Sequence, residues 1–306
     1  MAGKKRFNYG GQAVIEGVMI RGRTALVTAV RRPNGEIATN TKPLPTVEKS
    51  RARRIPFVRG VVVLFESLIL GLNTLMYSAN VALEEEEEQL SNKALLGMIG
   101  IGVILVIGVF FIAPLFLTKL ANSVLPNSVS FALVEGVIRL AIFIAYLKVI
   151  GLMPDVKRVF TYHGAEHKTV NAFEAGVPLE PEAIKSYSRA HVRCGTSFLF
   201  FVLVVAILVF SLVGRRVLWL MVLYRIILIP VIMGVGYEII YFGARHVNNW
   251  IMKVVLAPGL WLQSLTTGEP DNKQLEVAIA AMNKAVEIDN AEEMPKQSPV
   301  STQPAS

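Results

Sequence analysis

The residues best equipped for chemistry in this chain fall between positions 163 and 194. His163-Gly164-Ala165-Glu166-His167 forms an H-x-x-E-H pattern. On a helix, positions four apart share a face, so both imidazoles could reach one metal ion. Glu166 sits on the adjoining edge, where it could take a proton from a metal-bound water, the logic of inverted zinc-protease motifs. The chain has four histidines, His163, His167, His191 and His246, and one cysteine, Cys194. Three of the histidines and the sole thiol thus share one short segment. His163, His167, His191 and Cys194 form an N/S set of the kind Zn²⁺ takes. Glu174 is an alternative ligand on the face of His167, though seven residues, about 10 Å of helix, further along.

Three readings of this cluster stay open. Four protein ligands would close the shell and make the zinc structural. Three would leave a position for water, with Glu166 as general base of a hydrolase. Without metal, the same groups would be a hydrogen-bonded cluster at a helix junction.

A second group of ionisable residues lies inside apolar segments. Glu135 and Arg139, four apart, can pair on one helix face. Pairing lowers an insertion cost of roughly 2.5–3.5 kcal/mol per charge. Arg225 and Glu238 lie near opposite ends of another apolar segment, where snorkelling would keep them wet. Gly234 and Gly236 suggest close helix approach there.

The elements that must hold these residues are membrane helices. The 306 residues are 53% hydrophobic and 18% charged, with a mean hydropathy of +0.50. That is more apolar surface than a soluble domain can bury. Lys and Arg number 31 against 23 Asp and Glu, a formal charge of +8. A single cysteine excludes an intrachain disulfide and with it a stapled secreted scaffold. Four segments read as spans: 94–118, an uncharged run of 25 residues; 129–150; 194–214; and 217–244. Residues 60–83 are long enough to cross, but Glu66, Asn73, Tyr77 and Asn80 form a polar stripe, so this segment reads as an amphipathic helix in the interface. The expected fold is a mainly α-helical polytopic membrane protein of about four transmembrane helices plus that interfacial helix.

Charge sets the sidedness. Residues 1–59 hold 13 Lys/Arg and the 153–193 segment six, against one in 119–128 and two in 214–216. With four spans, both termini and the 153–193 loop fall on the cytoplasmic side of a bacterial inner membrane. No signal peptide is expected, since the first apolar stretch starts well past residue 30. The N-terminal region contains a β-hairpin, with strands 24–32 and 36–42 around Pro33-Asn34-Gly35. Lys4, Lys5 and Arg6, then Arg51, Arg53, Arg54 and Arg59, suit anionic headgroups or a ribosome; nucleic acid is otherwise not expected. The run Glu84–Glu88 reads as a solvated helix end. Asp155 is the expected cap of the helix carrying the histidines. Beyond the last span, Trp250 and Trp261 suit the headgroup layer and Pro258-Gly259 reads as a turn. An amphipathic helix is expected over 275–288, with a disordered tail over 290–306.

Four stretches carry a family likeness: GGQAVIEGVMIRG at Gly10–Gly22, MPDVKRVFTYHGAEHKTV at Met153–Val170, HVRCGTSF at His191–Phe198 and PGLWLQSLTTGEP at Pro258–Pro270. With them the chain, from Gly10 to about Ala285, resembles the YqhQ-like proteins, bacterial membrane proteins of unknown function labelled as metal-dependent enzymes on motif grounds. The resemblance implies that His163, Glu166, His167, His191 and Cys194 belong to the hallmark motifs. Val192 departs from it, standing where the family usually has proline. The leading expectation is a metal-dependent hydrolase acting at the membrane surface. The alternatives are a non-enzymatic assembly or scaffold factor with structural zinc, docking a ribosome, translocon or other membrane complex, and an oligomeric transporter.

Overall fold

A computed structural model describes residues 7–44, 55–83, 92–121, 123, 125, 127–213 and 217–293. The expectations for Lys4–Arg6, Arg51–Arg54, Glu84–Glu88, the 214–216 turn and the tail from 294 lie outside the described residues.

The N-terminal region is a four-stranded antiparallel meander: β1 (Gly10–Val14), β2 (Gly17–Arg21), β3 (Ala25–Arg31) and β4 (Ile37–Pro43). The expected hairpin is β3–β4, with Gly35 at φ 90° in its turn. The Gly10–Gly22 stretch adds a second hairpin that was not expected, with Glu16 at φ 53° in its tight turn. Strict polar/apolar alternation is missing from β2 and β3 because both faces of the sheet are covered. Val18, Ile20, Val27 and Ala29 face a core built with α5 (Pro154–Ala175) and α10 (Asn272–Glu293). Val14 and Val30 face α1 (Val58–Ala82). On α10, Leu275, Ala278, Met282 and Ala285 recur at helical spacing on the buried side. This helix runs to Glu293, past the start of the expected tail. Its Asp289 ties the chain ends together by accepting from Tyr9 Oη, the Arg23 and Thr24 amides and Thr24 Oγ1 at 2.8–3.1 Å.

The bundle consists of α2 (Asn92–Ile107) and α3 (Ala113–Leu120), joined by a π-helical turn at Gly108–Ile112, then α4 (Ser128–Ile150), α7 (Gly195–Val213) and α8 (Leu218–Arg245). The π-turn has a local cause. Pro114 has no N–H to give Phe110 O, and Arg139 Nε of α4 donates to that carbonyl at 3.0 Å. Four helices have the length and apolarity of a span: Val58–Ala82, Gly100–Leu120, Gly195–Val213 and Trp219–Arg245. Helix α4 reaches that length and apolarity only together with α5, from which it is bent by 100°. Helix α5 begins on Pro154 at its first position after the Met153 cap, with Asp155 inside the first turn rather than capping it.

Parity decides which helices cross. The sheet, α5 and α10 share one polar-shelled core, so they lie on one side of the bilayer. An even number of crossings must therefore separate Pro43 from Pro154. The rod α2–α3 and the helix α4 are the two expected to supply it, and α1 lies along the sheet: Ser78 Oγ accepts from the Ile15 amide, Glu66 pairs with Arg21, and Gly71 sits against Gln12. Its other side exposes Phe65, Leu68, Ile69 and Leu72, the side suited to lipid. Its start is held on α8 through Glu238, which bonds Arg59 and the Phe57 amide, so Glu238 is paired rather than snorkelling. At 28 residues, about 42 Å, α8 outruns a ~30 Å hydrocarbon layer, which leaves this end among headgroups. Pro258 and Gly259 lie within α9 (Trp250–Gln263) rather than in a turn; a Cβ at Gly259 would stand 3.1 Å from Ser197 of α7.

Impermeant-maleimide labelling checks the crossing count, since Cys194 is buried and silent. Glu36→Cys and Glu182→Cys should react from the same side of sealed vesicles, and Asn127→Cys from the other; labelling of the first pair from opposite sides refutes the parity.

Candidate metal centre

Helix α5 serves two neighbours with two faces. Tyr162, Ala165, Thr169 and Val170 turn into the buried interior. His163, His167 and Asn171 turn towards the segments 185–194 and 264–268. Asn171 Nδ2 donates to the carbonyls of Ser188 and Ala190 at 2.8 and 3.1 Å. His167 Nδ1 bonds the Arg189 carbonyl, and His163 Nδ1 bonds the Thr266 carbonyl at 2.9 Å. A carbonyl only accepts, so both Nδ1 atoms carry a proton, and in the neutral imidazole each Nε2 presents a lone pair.

Of the two, His163 Nε2 faces the thiol. Cys194 Sγ lies 3.4 Å from His163 Nε2, and the ligand atoms of His163, His167 and Cys194 all fall within 4.8 Å of one another. An ion with nitrogen at ~2.0–2.1 Å and sulfur at ~2.3 Å in tetrahedral array holds such an N–S pair about 3.5 Å apart. The His163–Cys194 pair has that spacing, and His/His/Cys is a donor set that zinc takes. Glu166 Oε2 stands 3.5 Å from His167 Nε2, beside the set. The Thr196 amide also points at Cys194 Sγ, at 3.4 Å.

His191 and Glu174 belong to a neighbouring pair. His191 Nε2 faces Glu174 Oε2 at 3.6 Å, and Arg193 bonds the same carboxylate. Burial disfavours the charge on Glu174, but the nearby His191 ring and the charge of Arg193 outweigh it and hold the carboxyl below its ordinary range. The main chain of His191 is clamped by Gln263, which accepts from its amide and donates to its carbonyl, both at 2.9 Å, and donates to Ser197 Oγ. Lys168, also buried, donates to the Lys185 carbonyl and Glu269, each at 2.6 Å, so its charge is answered outside the histidine cluster. On the sheet side, Glu16 pairs with Arg158 and accepts from Tyr162 Oη at 3.2 Å; burial of that phenol, with the Glu16 carboxylate beside it, pushes its pKa up.

Two close approaches fix the height of α5. A Cβ at Gly164 would lie 2.0 Å from the Gly268 carbonyl oxygen, so only glycine lets the 264–268 segment reach His163. A Cβ at Gly11 would meet Met19 O at 2.4 Å and Glu166 Cγ at 2.9 Å, so β1 can lie over the carboxylate only with glycine there. Neither glycine announces this role in sequence, and backbone acceptors such as Thr266 O carry no residue signature. The clamp by Gln263 lies inside the Pro258–Pro270 motif, a signal that was visible without its meaning.

Fold and cluster together define a polytopic helical membrane protein whose extramembrane α/β unit holds a His/His/Cys set at the mouth of the bundle. The comparisons agree on its kin. The family model described as "Protein of unknown function (DUF1385)" matches residues 55–288. The chain is 36% identical over 295 residues, 92% of its length, to "Uncharacterized protein YqhQ" of Bacillus subtilis (strain 168), covering 93% of that protein. The chain belongs to this YqhQ-like family. No solved structure matches it.

Gly164→Ala should destabilise the extramembrane unit by about 3 kcal/mol, because backbone rather than a movable side chain meets the new methyl. Thermal unfolding of the detergent-solubilised protein reads this as a lowered midpoint. An unchanged midpoint would place the 264–268 segment elsewhere.

Proposed function

We propose that this chain is a bacterial cell-membrane protein with a cytoplasm-facing, metal-dependent hydrolytic centre, and that His163, His167 and Cys194 are the ligands. The observation that carries the reading is the pair of Nδ1–H bonds to the carbonyls of Thr266 and Arg189, which leaves both Nε2 atoms on the side of the set, with His163 Nε2 3.4 Å from Cys194 Sγ and the three ligand atoms within 4.8 Å of one another. Second-shell bonds of this kind fix the tautomer of a ligating histidine. Three ligands with His191 outside the set leave a fourth position open, the arrangement of catalytic rather than structural zinc. Zinc held there would supply Lewis acidity and a water-derived nucleophile near neutral pH. Glu166, 3.5 Å from His167 Nε2, would serve as the general base. The half-buried His163 is the more open side of the centre, where a substrate at the membrane surface would enter. The cytoplasmic assignment rests on the Lys/Arg excess of the 1–59 and 153–193 segments.

One observation favours the alternative of a structural zinc in an assembly or scaffold factor. Glu166, His167 and Cys194 are 3%, 2% and 6% exposed, and β1 covers Glu166. The two readings separate by experiment. Elemental analysis of purified protein should give one zinc per chain, lost in His163→Ala and His167→Ala and kept in His191→Ala; loss in the last returns the site to a closed four-ligand shell. Glu166→Gln should keep its zinc and fail to complement a strain lacking the parent gene, a general base being worth about 10²–10⁴ in rate. Full complementation selects the structural reading, and a parent protein without zinc overturns both.

A further inference from the structure

Far from the histidines, the carboxylate of Glu135 is shared by two guanidiniums. Arg139 Nη2 lies 2.5 Å from its Oε1, and Arg225 Nη2 lies 2.6 and 2.7 Å from its two oxygens. The exposures are 4%, 5% and 8% for Glu135, Arg139 and Arg225, so Arg225 is paired across the bundle and not snorkelling. One carboxylate neutralises one guanidinium, and arginine keeps its proton even when buried. The triad therefore carries a surplus positive charge inside an apolar bundle, where a lone charge is expensive.

The surplus is directed. Arg139 places its Nε on Phe110 O, the carbonyl that Pro114 frees. Arg225 has Glu135 as its only hydrogen-bond acceptor among the described residues, and its Nε and Nη1 are not among the sealed, unsatisfied atoms. The side chain lines a cleft between α4, α7 and α8, with Ser128, Phe210, Met221 and Tyr224 around it. Ser128 opens α4, so the positive end of a 23-residue helix meets the same cleft. Among the described residues, Glu135 is the sole acidic one lining it.

The cleft also has a defined depth. It lies at the Val213 end of α7, while Cys194 immediately precedes the other end. Nineteen helical residues, about 28 Å, separate the two, close to the thickness of the hydrocarbon layer. Val129 and Leu133 of α4 and Val222 and Ile226 of α8 are exposed apolar residues on the helices that form the cleft.

We propose that this cleft binds the phosphate group of an anionic membrane lipid at the bilayer face opposite the histidine cluster, with Arg225 as the fork and the acyl chains along α4 and α8. A soluble anion could use the guanidinium but would gain nothing from the apolar flanks. The inference stands independently of the metal centre.

The test uses full-length protein in nonionic detergent, titrated with dihexanoyl phosphatidylglycerol while the thermal midpoint is followed. The expected result is a saturable rise for the parent. Arg225→Gln should weaken the apparent affinity about tenfold or more, as for loss of a charge-assisted pair. That variant leaves Glu135 and Arg139 as a balanced pair. Ser128→Asp, which puts a carboxylate in the cleft and leaves the triad untouched, should weaken it likewise, and decides alone if Arg225→Gln does not fold. Parent-like titrations in the folded variants overturn the proposal. So does inorganic phosphate giving the whole rise by itself, since the apolar flanks would then contribute nothing.

Discussion

The bend of 100° between α4 and α5 is the constraint on which the other parts depend. A chain leaving the bilayer as a straight helix would carry its next residues away from the membrane surface. Here the span ends at Ile150, and Pro154 starts a new helix whose first amide needs no partner. Helix α5 can therefore lie across the mouth of the bundle. One side of it enters the core with the sheet and α10, and the adjoining side faces Cys194 at the entry to α7. Had α5 continued the direction of α4, His163 and His167 would still share a face but would have no thiol in front of them.

The sheet and α1 follow from the same placement. With α5 and α10 on one face, the sheet needs a cover for Val14 and Val30, and α1 supplies it. A helix that sets Glu66, Gly71 and Ser78 against the sheet, and exposes Phe65, Leu68, Ile69 and Leu72 on another side, suits the interface. Length and hydropathy cannot distinguish that helix from a span; the contacts of Glu66, Gly71 and Ser78 can.

Much of this was legible beforehand because it rests on local rules. Three of the expected spans, 94–118, 194–214 and 217–244, the β3–β4 hairpin and the i,i+4 relation of His163 to His167 and of Glu135 to Arg139 all lie within a few turns of chain. The Gly10–Gly22 hairpin escaped because a strand covered on both faces loses its alternation. Pro258-Gly259 misled because a proline in a membrane-proximal helix is tolerated when close packing, here against Ser197, needs the following glycine. Asp155 misled because Pro154 takes the first helical position and Met153 the cap.

Residue types and spacing alone determined that this is a basic, polytopic helical membrane protein and named the residues that can ligate, pair or donate. They did so because a residue's partition into lipid and its helical face depend on its own chemistry and near neighbours. Tertiary structure decided which of those residues meet. It separated His191 and Glu174 from the His163, His167 and Cys194 set, joined Arg225 to a pair 90 positions away, and chose the backbone carbonyls that orient both imidazoles. Those outcomes depend on angles between elements and on approaches through Gly164 and Gly11, which no stretch of sequence contains by itself.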